Sequence, residues 1–274
     1  MTWLNYVTAQ FRLSQLVYWK RLGIALSGTL VPLGLGIAMP MQAQHSRPID
    51  AVPAPTYIMT GFLAFTLFFT VYNLVNAITS RRDALIYKRL RTTSLPDSAI
   101  FTGEGLSAAI PTVAVALVVM LAGIVGMHDD LPRNVPLLVI AMLLGLVMFF
   151  SLATGFAGIL PSAETSMWIV TPIMVVFIYT SGIFADVKHL PGPLSTIAEF
   201  LPMEPLVQLI RTAYLNRDYV SGSTADGGMH LLAAAAGPIG IMIAWTVVGI
   251  TLARRLFRWD PRRPETRLRR RVPA

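Results

Sequence analysis

The sequence predicts an all-α integral membrane protein: six transmembrane helices, an amphipathic N-terminal interfacial helix, and short re-entrant outer helices between spans five and six. Three observations predict this. Of 274 residues, 54% are hydrophobic and only 13% charged, with a mean hydropathy of +0.62; a soluble domain carries about a quarter charged residues. The remaining charges fall in loops and ends, leaving six long stretches almost free of them. Lipid offers the backbone no hydrogen-bond partner, so spans must be helices or a closed barrel, and the period-two alternation of a barrel is absent.

Residues 1–21 lack the short uniform apolar core and cleavage site of a signal peptide. Their apolar residues recur at helical spacing (Leu4, Val7, Phe11), flanked by Trp3, Tyr6, Tyr18 and Trp19, with Arg12, Lys20 and Arg21 on the basic side. That pattern predicts a helix lying in the membrane interface. A span needs about 20 apolar residues. Six segments within residues 22–256 qualify: Leu22–Met41, Tyr57–Thr79, Leu106–Met127, Pro136–Leu160, Met167–Phe184 and Met229–Leu256.

Lysine and arginine fix the orientation. With the N-terminus inside, Arg12, Lys20 and Arg21, the group Arg81, Arg82, Lys88, Arg89 and Arg91, and the arginines from Arg254 to Arg271 all face the cytoplasm. These make 17 of the 22 basic residues, leaving Arg47, Arg133, Lys188, Arg211 and Arg217 outside. Both termini are therefore expected in the cytoplasm. The formal charge of +8 is read as topology and contact with anionic headgroups, not as a nucleic-acid footprint.

The loops differ in character. Residues 42–56 are proline-rich and expected to be extended. The inner loop 80–104 carries a helix-compatible basic stretch, Arg81 to Arg91, ended by Pro96. The outer segment 185–228 is too apolar for an exposed loop and is broken by Pro191, Pro193, Pro202 and Pro205, which predicts short helices dipping into the outer leaflet. The basic tail 257–274 is expected to be loosely ordered.

Several chemistries are absent. No glycine precedes a lysine, so the chain has no phosphate-cradling loop and is not expected to hydrolyse ATP. Neither H-E-x-x-H nor G-x-S-x-G occurs, and zero cysteines exclude disulfides and thiol chemistry. His128-Asp129-Asp130 is read as a solvated turn before a metal site; no metal site is expected. Thr66, Thr70, Asn73 and Asn76 form a polar stripe on the second span. It serves either a substrate path or hydrogen bonding between helices, the commoner use. Glu104 and Glu164 sit at inner boundaries, where either pairs with a basic residue of the inner loop or a partner protein, or is simply an interfacial carboxylate. The stretch from Arg81 to Pro96 reads as a headgroup anchor, or, through Leu85, Ile86 and Leu90, as a helix docking into a partner's groove.

Three features resemble the type-2 permeases of ATP-binding-cassette (ABC) exporters. One is Arg81-Arg82-Asp83 through Lys88-Arg89-Leu90-Arg91-Thr92-Thr93-Ser94-Leu95-Pro96, similar to the family's basic segment after the second span. Another is Ser181-Gly182-Ile183-Phe184, then Leu190-Pro191 and Phe200-Leu201-Pro202-Met203-Glu204-Pro205-Leu206. The third is the layout of interfacial helix, six spans and basic tail. Asp83 stands where a glutamate is expected. The chain looks most like the drug-exporter branch, with multidrug efflux or antibiotic resistance as the implied role.

The resemblance implies a transport subunit without its own nucleotide site or bound cofactor. Two copies of a separate cytoplasmic ABC ATPase would bind ATP and Mg, and a second permease, the same or homologous, would complete the dimer in a bacterial inner membrane. It assigns ATPase coupling to Arg81, Arg82, Asp83, Leu85, Lys88, Arg89, Arg91 and Leu95. It places the substrate path along Thr66, Thr70, Asn73 and Asn76, and the outer gate at Phe184 and Glu204. The substrate would be hydrophobic or amphipathic, a drug or a lipid. A stand-alone secondary transporter or channel is the alternative, although no buried mid-span carboxylate is visible for it. A membrane enzyme of lipid or isoprenoid substrates is a third reading.

Overall fold

A computed structural model describes residues 2–20, 22–93, 95–219, 229–257 and 259. It is 82% helical, with no strand among the described residues. Among the described residues ten α-helices follow in order: α1 Trp3–Lys20, α2 Leu22–Gln42, α3 Ala54–Asp83, α4 Ile86–Arg91, α5 Asp97–Gly126, α6 Val135–Ile159, α7 Ala163–Thr180, α8 Pro193–Phe200, α9 Met203–Leu215 and α10 Met229–Leu256. The tail beyond Trp259, residues 220–228, and Ser94 of the inner-loop motif lie outside the described residues.

Five helices among the described residues are long and apolar enough to cross a membrane: α3, α5, α6, α7 and α10 from Ala233. The segment expected as the first span forms α2. The amphipathic N-terminal segment forms α1, with Val7, Gln10 and Ser14 buried and Trp3, Leu4, Leu13, Leu16 and Trp19 exposed. Apolar residues also cover the outside of the bundle: Leu117, Leu121 and Val125 of α5, Leu143 and Val147 of α6, Val175 and Val176 of α7, and Val247 of α10. Such a surface is stable only against an apolar surrounding. The chain is a multi-pass membrane protein.

α3 is the central post. Its apolar window is 83% buried against 17% for that of α7, and it packs on α2, α5, α6, α7 and α9. A ladder of Phe62, Phe65, Phe68 and Phe69 fills the space around it, with Phe68 edge-on to Phe149 of α6 and Phe177 of α7. α6 and α10 approach closely because of two glycines: a Cβ on Gly155 would lie 2.8 Å from the Gly249 carbonyl oxygen, and one on Gly249 2.6 Å from Ser151. Small residues at helix crossings replace the hydrophobic drive that lipid removes.

Several boundaries differ from those expected: the fifth span, expected over Met167–Phe184, is α7 Ala163–Thr180. Hydropathy ends the second span at Thr79 and starts the third at Leu106, yet α3 continues to Asp83 and α5 begins at Asp97. The charged residues between those limits remain helical because they are paired or capped inside the protein. The bend between α3 and α4 is made by Leu85, at φ 57°, a left-handed conformation that a leucine holds only when its surroundings enforce it.

α8 and α9 form a hairpin against the bundle. The Trp245 indole, inside α10, donates to the Phe200 carbonyl at 2.8 Å, and Leu206 of α9 lies where a Cβ on Gly145 of α6 would meet it at 2.9 Å.

Candidate coupling node and translocation path

One end of the bundle converges on one carboxylate. Glu104, on the second turn of α5, is 2% exposed. Its Oε1 accepts from the Arg81 guanidinium at the end of α3, from Gln10 Nε2 of α1 at 3.0 Å and from the Tyr87 hydroxyl of α4 at 3.2 Å. Ser14 of α1 accepts from Arg81 at 3.1 Å. A buried ion pair is costly unless further hydrogen bonds satisfy it; here α1 and α4 supply them. Gly103 lets α1 lie this close, since a Cβ there would sit 2.7 Å from Gln10 Cβ. Trp3 adds a bond from its indole to Ser98 Oγ at 3.1 Å.

The coupling residues expected from the sequence divide into three groups. Arg81 joins the Glu104 node. Arg82 is 1% exposed and points the other way: its guanidinium donates to the carbonyls of Ala157 at 2.7 Å and Leu160 at 2.6 Å, capping the end of α6. Asp83 accepts from the Ala163 N–H at 2.8 Å, at the start of α7. Arg82 and Asp83 therefore clamp the α6–α7 turn to α3. Lys88, Arg89 and Arg91 stand exposed on α4 and its end, Arg91 pairing with Asp97 at 3.3 Å, while Leu85 is half-buried and Leu95 packs against the core.

The polar stripe of α3 serves contacts between helices. The Thr70 and Thr112 hydroxyls are 2.7 Å apart, joining α3 to α5, and Asn73 Nδ2 donates to the Gly28 carbonyl of α2 at 3.1 Å. The Thr66 hydroxyl donates to the Phe62 carbonyl of its own helix at 2.9 Å. Thr66, Thr70 and Asn73 also line a cavity of about 70 Å³ between α1, α2, α3 and α5, which has Arg81 and Glu104 among its walls. Asn76 lines a separate space of about 340 Å³ with Gln10, Tyr18, Ser80 and Arg81.

At the other end of α3, Phe184 meets Phe62 edge-on at 5.9 Å. Glu204 is buried in α9; its Oε1 accepts from Gln208 at 2.9 Å while its Oε2 has no partner. Burial pushes its carboxyl up to about 7, with Arg211 and Gln208 pulling down and Asp186 and Glu199 adding to the rise. Gly182, at φ 69°, leaves room for it: a Cβ there would lie 2.8 Å from Oε2. Arg211, also buried, donates to the carbonyls of Tyr57 and Gly182, each at 3.1 Å, and lies 3.5 Å over the Tyr57 ring. The sequence reading placed Arg211 among outer loop charges. Its spacing from Glu204 and Gln208 (i, i+4, i+7) was the signal that all three share one helix face.

Helices long and apolar enough to cross a membrane, with a buried polar node at one end of the bundle and exposed basic residues beside it, make the architecture of a membrane protein. The model of the ABC-2 type transporter family matches residues 5–215, from α1 through α9, and the chain belongs to that family. Permease domains of this family are membrane components of transporters and are not catalytic by themselves. A comparison with curated proteins finds no match.

Proposed function

We propose that this chain is the permease subunit of an ABC exporter, forming the translocation path for a hydrophobic or amphipathic substrate, drug-like or lipid-like. A separate cytoplasmic ATPase would bind ATP and Mg and supply the energy. In this reading α2 is the first of six spans, both termini are cytoplasmic, and α8–α9 is a re-entrant outer hairpin. The carrying observation is the Glu104 node, where α1, α3, α4 and α5 meet on one carboxylate. A push on the exposed basic face of α4 reaches the central helix there, because α4 cannot move without disturbing Arg81 at the foot of α3. Arg82 and Asp83 extend the same push to α6 and α7. Substrate would follow the α3 face bearing Thr66, Thr70, Asn73 and Asn76 towards a gate at Phe184 and Glu204, across a dimer of permeases.

Co-purification from the native membrane tests this: the reading expects a stoichiometric ABC ATPase and ATP-dependent efflux. Full transport by a preparation without any ATPase would sink it. One observation favours the secondary-transporter alternative: Glu204 is a buried carboxylate with an unpartnered oxygen. Proton-driven flux in proteoliposomes holding this chain alone would support that reading instead.

A further inference from the structure

Four aromatic rings meet beside the Glu104 node. Tyr87 comes from α4, Phe101 from α5, and Phe257 and Trp259 from the chain just past α10. All six ring pairs lie within 4.8 to 6.4 Å between centroids, most of them edge-on, the arrangement aromatic quadrupoles favour. The Arg91 guanidinium at the end of α4 lies 4.4 Å from the centre of the Trp259 ring, a cation–π contact. Gly158 of α6 backs the cluster, since a Cβ there would stand 2.8 Å from Phe257 Cα.

α4 has six residues, too few to hold a helix alone. Its position depends on what it packs against, and Tyr87 is its one buried residue. Two of the three rings around Tyr87 belong to the segment that ends α10. The matched family region stops at residue 215, so neither α10 nor these rings fall within it.

We infer that Phe257 and Trp259 are positioning residues: a strap that makes the end of α10 move with α4, so that the coupling helix drives the sixth apolar span directly as well as α3. This rests on the reading of α4 as the helix an ATPase displaces. A dense aromatic cluster transmits displacement because it has no slack to absorb it.

The chain has no cysteine, so Thr92→Cys and Leu256→Cys can be spin-labelled in the complete complex purified with its ATPase. Their separation is measured by electron paramagnetic resonance, nucleotide-free and vanadate-trapped. With the cluster intact, the separation should be the same in both states. With Trp259→Ala it should change between states by about 2 Å or more, the scale of helix shifts in switching proteins, and Trp259→Phe should restore the fixed value. A separation that already changes with the cluster intact, or that stays fixed in Trp259→Ala, overturns the strap and leaves the functional reading standing. If Trp259→Ala does not fold, Arg91→Gln keeps all four rings and should broaden the trapped-state distribution; an unchanged distribution overturns the strap equally. Failure of the native chain to retain any ATPase overturns the functional reading, and the strap with it.

Discussion

Two adjacent arginines divide the inner end of α3 between them. Arg81 turns towards α1 and α5, Arg82 towards the α6–α7 turn. Replacing Arg82 by Ala would leave the Ala157 and Leu160 carbonyls without those donors inside the protein. We expect a loss of about 2–4 kcal/mol, since each buried orphan costs about 1–3 kcal/mol, read as a lower melting temperature in detergent. Lysine should recover only part, because one ammonium cannot reproduce the guanidinium fork. Unchanged melting of Arg82→Ala would contradict the clamp. Glu204 gives a pH dependence of opposite sense to an ordinary ion-paired carboxylate. Its pKa rises on folding from 4.5 to about 7, so the native state holds the proton more tightly than the unfolded one. Its contribution favours folding below pH 4.5, declines between about 4.5 and 7, and is fully lost above. Glu204→Gln should therefore melt higher than the native chain at pH 8 and show a flatter slope across that window. Parallel slopes for the two proteins would refute the assignment. The sequence offers the pairing of Glu104 with an inner-loop base as one use among three, because a boundary carboxylate serves a partner protein or the interface equally well. Sequence reading missed Arg211, because a net charge in an outer segment looks solvated until the helix face is drawn.

Among the elements, five of the six expected spans were legible as long apolar helices among the described residues, and their ends were not. Hydropathy stops at the first charge, so it closed the second span at Thr79. The helix runs on because Arg81 and Arg82 find buried partners in other helices, which a one-dimensional pattern does not contain. The same applies to α5, extended by the burial of Glu104. The coupling segment was legible as basic and helix-compatible, but its division between buried clamps and an exposed face depends on the turn at Leu85. That division has a consequence for α4. Lys88 and Arg89 are exposed on α4. The double change to Gln should leave melting nearly unchanged, as surface substitutions do, while abolishing ATPase retention in co-purification. Undiminished retention would place the docking surface elsewhere.

The molecule as a whole is arranged around α3, which touches α2, α4, α5, α6, α7 and α9 while α5, α6, α7 and α10 keep apolar flanks outward. Fold class and family were legible because both rest on extended features, the charge-poor stretches and the inner and outer motifs. The convergence on Glu104 was not, since it joins residues 94, 23 and 17 positions apart in the chain. The most direct test is quantitative mass spectrometry of the tagged chain purified in mild detergent from its native membrane. The account predicts an ABC ATPase recovered in equal amount with the chain. A preparation free of ATPase that retains full transport in proteoliposomes would contradict it.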